Sequence, residues 1–148
     1  MTDTQEQDRA AIRALVENYT IFGDAGDEAG FAGLFTEDAV IVTPFNRMEG
    51  LASIRTIPAM LGQMFARTLH QVTSQAVTVV GDSASGETKS YANHITVNAD
   101  GTATNDMWAI RYQDAFRRED GRWKIAARTL LIDWTELKAV KPGNGITG

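Results

Sequence analysis

A chain of 148 residues, 43% hydrophobic and 22% charged, is sized and composed for one folded domain rather than a disordered or fibrous polymer. Nineteen acidic residues against fourteen basic ones give a formal charge of −5, and no basic run interleaved with aromatics is present to follow a phosphate backbone, so nucleic acid is not an expected partner. Cysteine is missing altogether, which removes disulfides, thiolate nucleophiles, iron–sulfur clusters and cysteine-rich zinc sites.

The first eight residues are polar and acidic, unlike a secretory signal, and no apolar run approaches the ~20 residues needed to span a membrane. A cytoplasmic protein without membrane attachment is expected. From Gln5 to Phe22 the residues Ile12, Leu15, Val16, Tyr19 and Phe22 recur at helical spacing, while Glu6, Asp8, Arg9, Arg13 and Glu17 are placed to face water. Gly23 is expected to end this helix and to leave Asp24 at its terminus. A short helix over Asp27 to Phe35 follows, then a strand over Ala39 to Thr43. Gly50 to Arg67 reads as helical, but Pro58 lacks a backbone donor, so two short helices are predicted with Pro58 in the first turn of the second.

Beyond Arg67 the pattern becomes extended. Four segments, Leu69–Val80, Gly86–Val97, Thr104–Arg117 and Arg122–Trp134, are separated by turn-forming stretches and predict an antiparallel meander. In the third segment Trp108, Ile110, Tyr112, Asp114 and Phe116 share one face. Helices first and strands after, without βαβ alternation, predict a single α+β domain over residues 1–148: N-terminal helices packed on a curved antiparallel sheet that encloses a pocket. The glycine-rich stretch from Lys138 to Gly148 is expected to be a flexible tail or a flap over that pocket.

Only His70 and His94 are suited to moving protons near neutral pH, and neighbouring antiparallel strands would bring them to one cavity. A lone histidine is more often a surface or satisfied core residue, and Asp24 by itself reads as turn chemistry. No HExxH pair or comparable ligand spacing supports a metal, and no cofactor is expected. Arg128, always protonated, fits either a contact with substrate anion or enolate charge or an external salt bridge. Trp108, Tyr112, Phe65, Met60 and Met64 would wall a cavity for a cyclic or aromatic small molecule, or else be plain core.

The order Tyr19 to Asp24, Leu34 to Ala39, Gly50, His70, His94 and Tyr112 to Ile125 resembles the SnoaL-like branch of the nuclear transport factor 2-like superfamily over nearly the whole chain. The resemblance implies a cone of curved antiparallel sheet closed by helices. Within it the chain is similar to eliminating members such as scytalone dehydratase, bile acid 7α-dehydratase and hexachlorocyclohexane dehydrochlorinase, in which an aspartate ending the first helix orients a histidine that removes a proton. Asp24 and His70 stand at those two positions. His94 matches a second active-site histidine, Tyr19 a catalytic tyrosine and Arg128 a pocket arginine. Gly23 and Thr43 replace tyrosines of scytalone dehydratase, and Ile110 and Tyr112 replace small polar pocket residues.

What the resemblance implies is a lyase, a dehydratase acting on a small cyclic or aromatic-precursor hydroxy-carbonyl compound without a cofactor. His70 would take a proton and His94 or Tyr19 would protonate the departing hydroxyl, with Trp108, Tyr112, Ile110 and Met64 contacting the substrate. The alternatives are a polyketide-type cyclase or isomerase, the non-catalytic small subunit of a ring-hydroxylating dioxygenase, and a ligand-binding module. Relatives associate through the outer sheet face, which implies a homo-oligomer, a trimer in preference to a dimer.

Overall fold

The computed structural model describes residues 3–147. Its elements run α1 (Asp3–Ala25), α2 (Glu28–Ala32), β1 (Phe35–Val42), β2 (Arg47–Glu49), α3 (Leu51–Ile54), α4 (Ile57–Met64), β3 (Arg67–Val80), β4 (Ser83–Val97), β5 (Ala103–Glu119), β6 (Arg122–Val140) and α5 (Asn144–Thr147). The strands form one sheet in the order β2-β1-β6-β5-β4-β3. The fold is α+β, with the helices packed on the sheet, and the predicted meander is β3 to β6.

The sheet is mixed rather than wholly antiparallel. β1 leaves α2 and joins the free edge of β6 in parallel, Phe35 against Ile125 and Ile41 against Arg128, while the unpredicted β2 hairpins back onto β1. Irregular pairing between Val72 and Gln75, and opposite Ala109–Ile110 and Ala115–Phe116, bends the long strands. Gly86 marks another tight place: a Cβ there would collide with the Ala76 carbonyl. It lies inside β4, which begins at Ser83 and not at Gly86.

α1 continues past Gly23 to Ala25. Gly26, with φ of 71°, takes the left-handed position that ends a helix, and the Gly26 and Asp27 amides donate to the carbonyls of Gly23 and Phe22. Gly23 is buried beside Phe31 inside the last turn, so Asp24 lies within the helix. Asp27 caps α2 by accepting from the Gly30 amide at 2.9 Å. That helix stops at Ala32 because Leu34 and Phe35 already pair with Ile125. α3 and α4 divide as the proline dictates, with Pro58 in the first turn of α4.

Part of the stretch expected to be a tail or flap carries regular secondary structure. Lys138 to Val140 continue β6, because Ala103 to Asn105 offer a free strand to pair with, whatever the composition of the partner. Beyond it, Arg67 Nη2 donates to the Gly145 carbonyl at 3.0 Å; Gly148 lies outside the described residues.

Ile12, Val16, Phe31, Phe35, Ile41, Ile54 and Ile125 centre the core. Asp8, expected to face water, is buried. It accepts from Arg118 Nη1 at 2.6 Å and from the Trp123 indole at 2.9 Å, fastening α1 to the β5–β6 hairpin. A long-range partner overrides helical periodicity here, since a buried carboxylate is tolerated once its charge is met. No described helix is long and apolar enough to cross a membrane.

Candidate active site

β3 presents alternate residues to the same side, so Thr68 and His70 both point toward the end of α1. There they hold Asp24 from three directions. The Thr68 hydroxyl donates to Oδ1 at 2.8 Å, the His70 amide donates to Oδ2 at 2.8 Å, and His70 Nδ1 lies 2.7 Å from Oδ1. A carboxylate only accepts, so the proton of a neutral His70 sits on Nδ1 and leaves Nε2 with its lone pair free. Thr68 was not singled out from the sequence; its place two residues before His70 on an alternating strand is the signal that identifies it.

His94 lies opposite Thr68 on β4, which puts it diagonally across from His70. The two rings are 5.8 Å apart and nearly perpendicular. His94 Nδ1 is 2.9 Å from the Asp106 carbonyl, which fixes the proton of its neutral form on Nδ1 and leaves Nε2 as an acceptor. Phe65 and Trp108 flank the ring at 4.8 and 4.3 Å. Burial among them pushes the His94 pKa below 6.5, helped by nearby His70 and opposed by the Asp106 carbonyl and the charges of Asp106 and Asp24.

The sign of this shift gives a stability prediction. The unfolded chain binds a proton at His94 before the folded one does, so the contribution of neutral His94 is complete above about pH 6.5 and is lost as pH falls toward the lower folded value. Urea midpoints at pH 7.5 and 5.5 should fall further in wild type than in His94→Gln. Equal falls would contradict a depressed histidine.

The two imidazoles open on a cavity of about 370 Å³ between α4, the β1–β2 turn and the inner sheet face. Trp108, Ile110, Tyr112 and Met64, expected at a substrate, all line it, as do Tyr19, Phe65 and Met60. Most other wall residues are aliphatic, among them Ile41, Met48, Ile57 and Leu130. Phe45 and Met64, 71% and 59% exposed, mark its outer part, and Phe45 reaches Trp108 at 5.7 Å. The Thr43 hydroxyl bonds Asn46 and the amides of Phe45 and Asn46, which fixes the turn that carries Phe45. Cavities of this size and character suit small organic molecules.

Tyr19 and Tyr112 sit deep in the cavity, their rings 5.8 Å apart. Burial raises the pKa of both phenols despite the opposing charge of Arg128, so both are neutral hydrogen-bond donors. Arg128 does not line the cavity. Its guanidinium lies 4.2 Å from the Tyr19 ring centre and 3.9 Å from that of Tyr112, and it is spent on a bidentate pair with Asp114 at 2.7 and 2.8 Å. The placement corrects the expectation of a direct substrate contact, and the salt bridge is internal rather than external. Burial opposes the Arg128 cation, but Asp114 more than compensates and the pKa rises. In the sequence Asp114 stands only as one of the residues that share a strand face with Trp108 and Tyr112.

Among the described residues no group of three or more His, Asp or Glu is placed to hold a metal ion. The arrangement offers a carboxylate-bound imidazole with a free nitrogen, a second imidazole that accepts, and two neutral phenols, all around an apolar void.

Residues 5–129 match the family model of the SnoaL-like domain. No curated protein sequence matches the chain. Among solved structures, Rv3472 of Mycobacterium tuberculosis, a protein of unknown function, is 29% identical with a TM-score of 0.77, covering 90% of this chain and 77% of its own. A candidate scytalone dehydratase from Novosphingobium aromaticivorans is 23% identical with a TM-score of 0.82 and covers 97% and 98%. A type 2 hexachlorocyclohexane dehydrochlorinase is 20% identical, also with a TM-score of 0.82, and covers 94% and 95%.

Proposed function

This chain belongs to the SnoaL-like domain family of the nuclear transport factor 2-like superfamily, and from that premise we propose that it is a lyase, a dehydratase that removes water from a small cyclic hydroxy-carbonyl compound with its own side chains. One observation carries the reading: His70, bonded through Nδ1 to Asp24 at 2.7 Å, is part of the wall of an apolar cavity of about 370 Å³. Fold likeness alone would not support it, since one fold hosts many chemistries.

In this reading His70 Nε2 takes the proton from the carbon beside the substrate carbonyl, and Asp24 stabilises the imidazolium that forms. The released electron pair forms the new double bond as the hydroxyl leaves. Tyr19 is the better donor to that hydroxyl, because the neutral His94 carries its proton on the nitrogen facing Asp106. The imidazolium proton then restores Tyr19, so the substrate loses one water and the protein is unchanged. His94 Nε2 accepts from a substrate hydroxyl and orients it. Trp108, Ile110, Tyr112 and Met64 hold the ring, while Arg128 and Asp114 brace the two phenols from behind. A homo-oligomer, with a trimer preferred, belongs to the same reading; exposed Tyr91 and Trp134, flanking Ala109 across three strands, support it.

Incubation with a panel of hydroxylated cyclic ketones, followed by mass spectrometry, tests the reading. A product lighter by one water, formed by wild type and not by His70→Ala, is expected. Turnover at constant mass would replace dehydration with isomerisation or cyclisation on the same dyad, and saturable binding without turnover would replace it with a ligand-binding module.

A further inference from the structure

The two members of the dyad border different voids. His70 forms part of the wall of the apolar cavity and Asp24 does not; Asp24 instead lines a second cavity of about 160 Å³. Leu61 and Phe65 border both and form the partition between them. The second cavity is the more polar, with Asp24, Thr68 and Arg67 among its walls. At about 30 Å³ per molecule in the liquid, it has room for a few waters.

Asp24 has an acceptor site to offer them. Oδ1 receives both the Thr68 hydroxyl and His70 Nδ1–H, but Oδ2 receives only the His70 amide. A carboxylate oxygen has two lone-pair directions, and the Asp24 side chain is 21% exposed. The apolar cavity, once filled by an organic molecule, excludes water from the Nε2 side of His70. The carboxylate side stays open.

We infer that the second cavity is a solvent port: water in it bonds Asp24 Oδ2 and keeps the dyad in proton exchange with bulk solvent while the apolar cavity is occupied. The exchange is a swap in which the Nδ1 proton passes to Asp24 Oδ1, the carboxyl group turns about its Cβ–Cγ bond to present that proton to port water, and a solvent proton returns by the reverse path, so atoms and charge balance. It holds for any proton transfer through His70 and does not rest on the dehydratase reading.

Gly62 gives a way to close the port without touching the dyad. It lines the second cavity from α4, and a Cβ added there meets nothing within 4 Å. Gly62→Leu therefore adds an apolar side chain at the exposed rim of the cavity without a clash at Cβ, and it replaces a poor helix former with a good one. In protein labelled with ¹⁵N-histidine, the exchange of His70 Nδ1–H with water is measured by NMR, alongside that of His94 Nδ1–H on the Asp106 carbonyl. His94 does not line the port, so it reports any change in overall stability.

The expected result is a fall of about ten-fold or more in the His70 rate relative to the His94 rate in the same sample, as access through a local path is lost. Where Gly62→Leu does not fold, Ala66→Leu adds bulk to the wall of the same cavity from the connection between α4 and β3. The His70 backbone amide, bonded to Oδ2, gives a second readout. A folded variant in which the His70 rate is unchanged, or in which both histidines slow together, overturns the port.

Discussion

Alanine in place of His70 is expected to lower turnover by about 10²–10⁴-fold, the usual contribution of a positioned general base. Affinity should change far less, because the imidazole is one residue in a wall dominated by aliphatic and aromatic side chains. The loss should therefore appear in kcat, with KM nearly constant. Asp24→Asn tests the same assembly from the other side. Asp24 receives three donors on two oxygens, whereas asparagine has one acceptor oxygen and an NH₂ that would meet a donor. With the NH₂ in the place of Oδ1 the imidazole must move its proton to Nε2, which removes the lone pair the reaction needs, and with the NH₂ in the place of Oδ2 it opposes the His70 amide and displaces the residue. Asp24→Asn should consequently approach His70→Ala in kcat, and the double variant should be little worse than either. Full activity in either single variant would remove proton abstraction by His70 from the mechanism.

The largest loss of stability is expected from Asp114→Ala. Arg128 and Asp114 are both fully buried, and the guanidinium lies between two rings that give it no second anion. Removing one partner of such a pair strands the other, at a cost of about 3–5 kcal/mol, against about 5–15 kcal/mol for a whole domain. Arg128 Nη1 is already without a hydrogen-bond partner, so the site has little reserve. Replacing both partners with apolar residues, Asp114→Leu with Arg128→Met, should recover much of the loss, because no charge is then left in the core. Urea unfolding of the three proteins at neutral pH measures both effects. A small cost for Asp114→Ala would show that water or another group reaches Arg128.

Local rules account well for the elements that local rules govern. The stripe of Ile12, Leu15, Val16 and Tyr19 is the buried face of α1, and Pro58 divides α3 from α4 as a missing donor requires. Alternation along β5 placed Trp108, Ile110 and Tyr112 on the cavity face. The misses share a cause. Asp8 is buried because Arg118 and Trp123 come to it from more than a hundred residues away. β1 pairs in parallel with β6, and Lys138 to Val140 are strand because β5 offers them a ladder. In each case a distant partner outweighs composition, and one chain read in order contains no signal for that partner.

The candidate site divides in the same way. Tyr19, Asp24, His70 and His94 stand out by residue type and resemblance; in the structure Asp24 bonds His70, and Tyr19, His70 and His94 line one cavity. The roles of Thr68, the Asp106 carbonyl and Asp114 exist only in the folded chain, since each acts through a hydrogen bond across strands or helices. The sequence by itself determined most of the elements, many of the residues that share a face and the supply of proton-handling groups, because periodicity and side-chain chemistry are local properties. Tertiary structure alone decided that Arg128 lies behind the phenols, that His94 faces the cavity as an acceptor, and that Asp24 borders a second void. Those are questions of distance and tautomer, and they are settled by which distant surfaces come into contact.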